Sequence, residues 1–218
     1  MMASRRELPA RIRSSPAHMR DSRLIVIAAE GSKTEKKYFE DLAFEFHNAR
    51  VKVFVLKTEE DRSSPEHVIK LLDDFKADYI PEDDDLVWLV IDVDRWEKKK
   101  LAEVASLAKQ KQYNLAVSNP CFELWMLLHH RSLDQYPQST LQEFRENRKD
   151  GTNRTRLERE LISILGQYNK SKPATKDFIP FVQNAVERAR ALDIQRRARW
   201  PNDLGSRVYR LVSEIMKK

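Results

Sequence analysis

The sequence predicts an α/β fold: a mostly parallel sheet of about four strands flanked by helices, with a helical C-terminal part. Three observations carry that prediction. Four apolar, β-branched runs alternate with segments of helical spacing. One run, "DLVWLVIDVD" at 85–94, is apolar almost without alternation, as in a strand covered on both faces. Beyond His130 the remaining segments carry helical spacing and polar connections.

Taken in order, "RLIVIAA" (23–29) reads as a buried strand, and 34–47 places Tyr38, Phe39, Leu42, Ala43 and Phe46 at helical spacing. "VKVFVL" (51–56) is the next strand, and 64–75 a helix with Ser64 as N-cap and Pro65 in its first position. A strand at 85–94, a helix over 97–110 and a strand at 113–118 continue the series. "SNPCFELWMLLHH" (118–130) reads as a helix capped by Ser118 or Asn119, with Pro120 in its first turn. The predicted division is a basic flexible tail over 1–22, an α/β domain over 23–130 and a helical extension over 131–218.

Composition narrows the function classes. Of the 218 residues, 34% are charged and only four are glycine, which suits a helix-rich protein with few tight hairpins. No apolar run approaches the ~20 residues of a membrane span, so a cytoplasmic protein without membrane contact is expected. The single cysteine, Cys121, excludes an internal disulfide and a thiolate zinc cage. Net charge is +6, and 145–200 holds fourteen Lys/Arg against seven Asp/Glu. This skew suits a polyanionic partner, with a well-solvated helical surface as the alternative that charge alone leaves open.

In an open parallel sheet, ligands gather beyond the carboxyl ends of the strands. Glu30 ends the first strand; Asp92 and Asp94 end the third. Two residues apart in an extended chain, the aspartates leave the same face and can converge on one cation. Carboxylates so close repel unless a positive charge joins them. Oxygen donors without histidine or cysteine suit Mg2+ or Mn2+, which polarise phosphoryl oxygens and orient an attacking water. A lone D-x-D also reads as a turn with a capping aspartate; the glutamate ending another strand tips the reading toward a site.

Other residues are weighed alongside them. Glu123 reads equally as a dipole-favoured glutamate of a first helical turn and as a fourth ligand. Glu35, three residues after Ser32, fits the S-x-x-E capping box. "GSKT" lacks the upstream glycine of a phosphate loop. Asp83, Asp84 and Asp85 read as a solvated loop, and His129, His130 and Cys121 as structural residues. Lys33 and Lys170 are candidates for contact with a scissile phosphate, and Lys172 for nucleic-acid contact. Arg188, Arg190, Arg196, Arg197 and Arg199 are candidates to track a nucleic-acid backbone, with Trp96 or Trp200 stacking on a base.

A strand ending in Glu-Gly followed by a helix, with a later strand ending in Asp-x-Asp, resembles the Toprim domain of topoisomerases, primases and overcoming-lysogenization-defect nucleases. More closely, "EGSKTEKKYFEDL", "VIDVDRW", "SNPCFELWMLLHH" and "PNDLGSRVYRLVSEI" are similar to the RloB family, associated with bacterial anti-phage and abortive-infection loci. The resemblance implies a Toprim fold and a metal-dependent nuclease acting on RNA, such as a tRNA, or on DNA. It implies Glu30 as general acid or base, Asp92 and Asp94 as metal ligands, and Glu123 as completing the acidic cluster. "AAEGS" departs from the commoner "CEGEKTE" opening, replacing an acid with Ser32. The alternative expectation is a non-catalytic regulatory subunit of the same fold that docks on a defence ATPase.

Overall fold

Each strand of a sheet has two faces, and in the first strand of this chain both are apolar, so both must be covered. The structure, a computed structural model, describes residues 22–47, 51–56, 64–79, 81–94 and 96–217. The basic tail read over 1–22 lies, Ser22 apart, outside the described residues.

Among the described residues five strands form one sheet: β1 (Arg23–Ala29), β2 (Val51–Val55), β3 (Leu86–Asp92), β4 (Asn114–Asn119) and β5 (Gly205–Ser206), in the order β2-β1-β3-β4-β5. The first four are parallel, and β5 runs antiparallel to β4. Eight α-helices are described: α1 (Thr34–Glu45), α2 (Pro65–Asp78), α3 (Lys98–Gln110), α4 (Phe122–His130), α5 (Gln138–Glu146), α6 (Arg156–Leu165), α7 (Val182–Leu192) and α8 (Val208–Ile215).

The two faces make two cores. Leu24, Val26 and Ala28 of β1, with Val87, Leu89 and Ile91 of β3, pack against α2 through Val68, Leu72 and Phe75 and against α3 through Leu101, Val104 and Ala108. On the other face Ile25, Ile27 and Ala29 meet Tyr38, Phe39 and Leu42 of α1. That same cluster continues into Trp125 of α4, Phe144 of α5, Leu157 of α6, Val186 of α7 and Leu211 of α8. The helices after His130 therefore share a core with the sheet. Each fully buried Val, Leu, Ile or Phe among them contributes about 1.5–3 kcal/mol through removal from water.

Local chemistry explains the element ends. Ser64 Oγ accepts from His67 N, and Pro65 occupies the first turn of α2, as the sequence predicts. Thr155 and Glu158 form a reciprocal capping box on α6, which closes at Gly166 with φ of 77°. Within buried α4, His129 Nδ1 donates to Trp125 O at 3.0 Å and Nε2 accepts from Tyr38 OH at 3.0 Å, the neutral tautomer that satisfies both atoms. Burial pushes His129 down to about 3.

Three local expectations are corrected. Helix α4 begins at Phe122, because Ser118 and Asn119 continue β4 and pair with Ser206 and Gly205. Their side chains bond Ser206 Oγ at 2.9 Å and Pro201 O at 2.9 Å and so are not caps. The fifth strand, two residues long, is too short to show an alternation. Asp85 is no solvated acid: it accepts from Leu24 N at 2.7 Å, Tyr79 OH at 3.1 Å and Glu82 N at 2.9 Å, tying the entry of β3 to β1.

Candidate active site

The strand order reverses between β1 and β3, since the chain passes from β1 to β2 on one side and returns to β3 on the other. That reversal opens a crevice beyond the carboxyl ends of β1 and β3, where ligands bind in open α/β sheets. Glu30 stands one residue past β1; its N–H donates to Val90 O at 3.0 Å, which extends the ladder by a rung and aims the buried side chain at the crevice. Asp92 ends β3 and is 8% exposed. Its N–H donates to Glu30 Oε2 at 3.4 Å, and the Trp96 indole N–H donates to the same oxygen at 3.1 Å. The turn after β3 is tied down by the N–H groups of Val93 and Asp94, both donating to Pro120 O at 3.0 Å.

The third element is α4, whose first turn carries Glu123, 3% exposed. A strap between α6 and the next helical turn, residues 166–174, brings two partners to it. Lys170 Nζ lies 3.1 Å from Glu123 Oε1 and 2.9 Å from Glu158 Oε1, and Tyr168 OH donates to Glu123 Oε1 at 3.3 Å. Thr34 Oγ1 donates to Lys170 O at 2.6 Å, fastening the strap to α1. Together Gly31, Lys33, Thr34, Glu35, Asp92, Glu123 and Lys170 line a cavity of about 240 Å³.

Glu35 is the acid that sequence reasoning misassigned. The N-cap of α1 is Lys33, with no side-chain capping bond, and Glu35 is buried in the cavity wall. Its carboxylate lies directly over Gly31: a Cβ built there would stand 1.8 Å from Glu35 Oε2. The S-x-x-E spacing matched a cap, whereas a glutamate in the first turn of a helix that starts at the crevice also points back at it. Tyr168 gave no local signal, because the strap reaches Glu123 only through the fold.

Like charges dominate the electrostatics. Burial, then Glu35, Glu30, Asp94 and Glu123 in turn, holds Asp92 well above the usual carboxylate range. Burial and Glu123 push Glu35 up to about 7. Burial works against the Lys170 ammonium, yet Glu123 and Glu158 hold it above the usual lysine range. Burial, then Glu123, Asp92 and Asp94, raise the Cys121 thiol, which is an inert core group here.

The remaining candidates are placed as follows. Asp94 is exposed, with Asn147 Nδ2 at 3.5 Å from its Oδ2. Lys33 is exposed at the lip of the cavity; Lys172 is exposed on the strap and does not line it. Arg188 is committed to the fold: its Nη1 donates to Leu128 O at 2.8 Å and His129 O at 3.0 Å, satisfying carbonyls at the end of α4. Arg196 and Arg197 are exposed in the loop before Trp200, which packs against the α2–α3 core.

Among the described residues, no group of three or more His, Cys, Asp or Glu side chains stands ready to hold a metal ion. The contacts say why: Glu30 is turned onto Trp96 and Asp92 N, and Glu123 onto Lys170 and Tyr168. The donor set nonetheless fits a hard cation, being all carboxylate and carrying mutual repulsion that a divalent ion relieves. Among the described residues no helix is long and apolar enough to cross a membrane.

Comparison with curated proteins and with solved structures returned no match. A family model described as RloB-like protein matches residues 25–215, which takes in both cores, the crevice and the strap. The chain belongs to the RloB-like family.

Proposed function

We propose that the chain is a divalent-metal-dependent nuclease of bacterial anti-phage defence, hydrolysing phosphodiesters of RNA or DNA at the β1–β3 crevice. One observation carries this reading: Glu35, Asp92 and Glu123, from three separate elements, line one cavity, with Glu30 bonded behind Asp92. Scaffolds seldom keep buried like charges together, because each neighbour raises the cost of ionisation.

Glu30, Asp92, Asp94 and Glu123 are the residues that would hold Mg2+ or Mn2+. Such an ion supplies polarisation of a phosphoryl oxygen and a more acidic water. Glu30, its Oε2 oriented by the Trp96 and Asp92 N–H groups, takes the proton of the water that attacks phosphorus, while the P–O ester bond opposite breaks and its leaving oxygen takes a proton from solvent. Lys170 presents ammonium donors to the charge that develops on the phosphoryl oxygens, while Glu123 and Glu158 fix its position.

The test is cleavage of labelled tRNA, single strands and duplexes in Mg2+, Mn2+ or chelator. Wild type should cleave only with metal. Glu30→Gln and Asp92→Asn should each lower the rate roughly 10²–10⁴-fold, the range of a lost acid–base group. Equal cleavage by the variants, or cleavage in chelator, overturns the reading.

A second reading, a regulatory subunit docking on a defence ATPase, is favoured by the absence of a converged ligand triple among the described residues. It predicts that phage protection in cells survives both substitutions.

A further inference from the structure

Strand β3 runs through Trp96 into α3, so the start of α3 lies at the same sheet edge as the acids. Lys98 and Lys99 are exposed there. Lys100 Nζ sits 4.4 Å from the centroid of the Trp96 ring and 3.2 Å from Glu66 Oε1. A second, distant segment arrives beside it. Arg199 Nη1 donates to Ala102 O at 3.4 Å, and two residues on Pro201 O accepts from Asn119 Nδ2 at the end of β4. Arg199 thereby ties the segment that carries the exposed Arg196 and Arg197 to the first turns of α3.

Both segments end at the carboxyl edge of the sheet, and Trp96 joins their basic surface to Glu30. Among the described residues no ion pair holds Lys98, Lys99, Arg196, Arg197 or Arg199, whereas many other surface cations are paired within their own helices. Glu97 is the acid within these two segments, and Glu66 is spent on Lys100. A polyanion approaching the acid cavity is repelled by Glu30, Glu35, Asp92 and Glu123. Unpaired cations on the adjoining surface offset that repulsion and hold the flanking phosphates.

We propose that Lys98, Lys99, Arg196, Arg197 and Arg199 form a surface that tracks a nucleic-acid backbone along the β3–β4 side of the crevice, over Trp96 to the acids. The proposal rests on the nuclease reading for the identity of the polyanion, and on the contact of the two segments for its path. Recognition of this kind is through phosphates and is indifferent to base sequence.

Binding of fluorescein-labelled RNA and DNA oligonucleotides, followed by anisotropy across a salt series in chelator, tests the surface without catalysis. Lys98→Gln with Lys99→Gln, and Arg196→Gln with Arg197→Gln, should each weaken binding about 10-fold or more and lower the log–log salt slope by about one to two. Lys109→Gln with Lys111→Gln, in the last turn and at the C-cap of α3 at the opposite sheet edge, is the control. Melting temperatures confirm that all three pairs fold. Losses no greater than the control's overturn the surface, as does displacement of the oligonucleotide by poly-glutamate at equal charge concentration. If no metal supports cleavage but the pairs still lose binding, the nuclease reading falls and the surface stands. If cleavage proceeds with unchanged KM in both pairs, the surface falls and the nuclease reading stands.

Discussion

Two buried aspartates, Asp92 and Asp193, sit in opposite electrostatic surroundings although they are 8% and 5% exposed. Asp193, just past α7, takes Arg207 Nη2 at 3.0 Å on one oxygen and Arg210 Nη2 at 2.7 Å with Tyr209 OH at 3.0 Å on the other. Burial works against its carboxylate, and the arginines and Tyr209 outweigh burial and hold it below the usual range. At Asp92 burial comes first and the neighbouring carboxylates add to it, so it is driven the other way. Solvent exposure is similar in both, so the sign of the neighbouring charges, added to burial at Asp92 and set against it at Asp193, separates the two acids.

The strongest way to break that comparison is to neutralise each aspartate. Asp193→Asn strands Arg207, itself 3% exposed, without its counter-ion and should cost about 3–5 kcal/mol in urea unfolding. Asp92→Asn removes one of several repelling charges and should leave stability within about 1 kcal/mol of wild type, or raise it. Similar losses at both positions would contradict the contrast.

Titration sharpens it. Asp193, lowered in the fold, stabilises above its unfolded value and loses that contribution as pH falls through its folded value. His129 adds a second acid-labile group. It is pushed down to about 3, while the unfolded chain takes up its proton near 6.5. Stability therefore falls as pH drops through that window, by roughly 3 kcal/mol at pH 4. His129→Gln should flatten the slope between pH 7 and pH 4 in urea titrations, and an unchanged slope would show that His129 does not carry it.

A cation should then tell the clusters apart. Mg2+ at about 100 times its Kd stabilises a protein that binds it only when folded by about 2.7 kcal/mol. Wild type and Asp193→Asn should both gain that increment, while Asp92→Asn should gain little. An equal gain in all three would place the ion elsewhere.

The contrast also marks what a sequence discloses. Strands β1 and β3 are visible as apolar runs, and their carboxyl ends point to Glu30 and Asp92, because strand direction alone decides where a crevice opens. The Asp193 cluster is not visible. Its charges lie in a basic stretch, and Arg207 meets Asp193 only because β5 turns the chain back along β4. Arg188 was misread for the same reason: an arginine that caps a distant helix end and one that faces solvent look alike in a string of letters. Lys170 stood out through its place between two helical segments, whereas Glu158, its second partner, shows in sequence only as the far half of a capping box.

Gly31 gives the smallest predicted effect on stability and the most local one. Its backbone has no positive φ, so the glycine is required for space and not for conformation. Glu35 Oε2, Cδ and Oε1 all lie within 2.2 Å of where a methyl group would stand. In Gly31→Ala the mobile end of Glu35 is what must yield, since the three nearest atoms all belong to that side chain. The fold should lose no more than about 1 kcal/mol, because a charge leaves a crowded site as the methyl enters. Glu35 would swing out of the cavity wall, and cleavage should fall about 10-fold or more with the melting temperature nearly intact. Glu35→Gln in the Gly31→Ala background should then add little to the loss, whereas full additivity would show that Gly31 and Glu35 act apart. The glycine of "EGSKT" would thus serve to admit a carboxylate to the crevice where a phosphate loop would admit a phosphate.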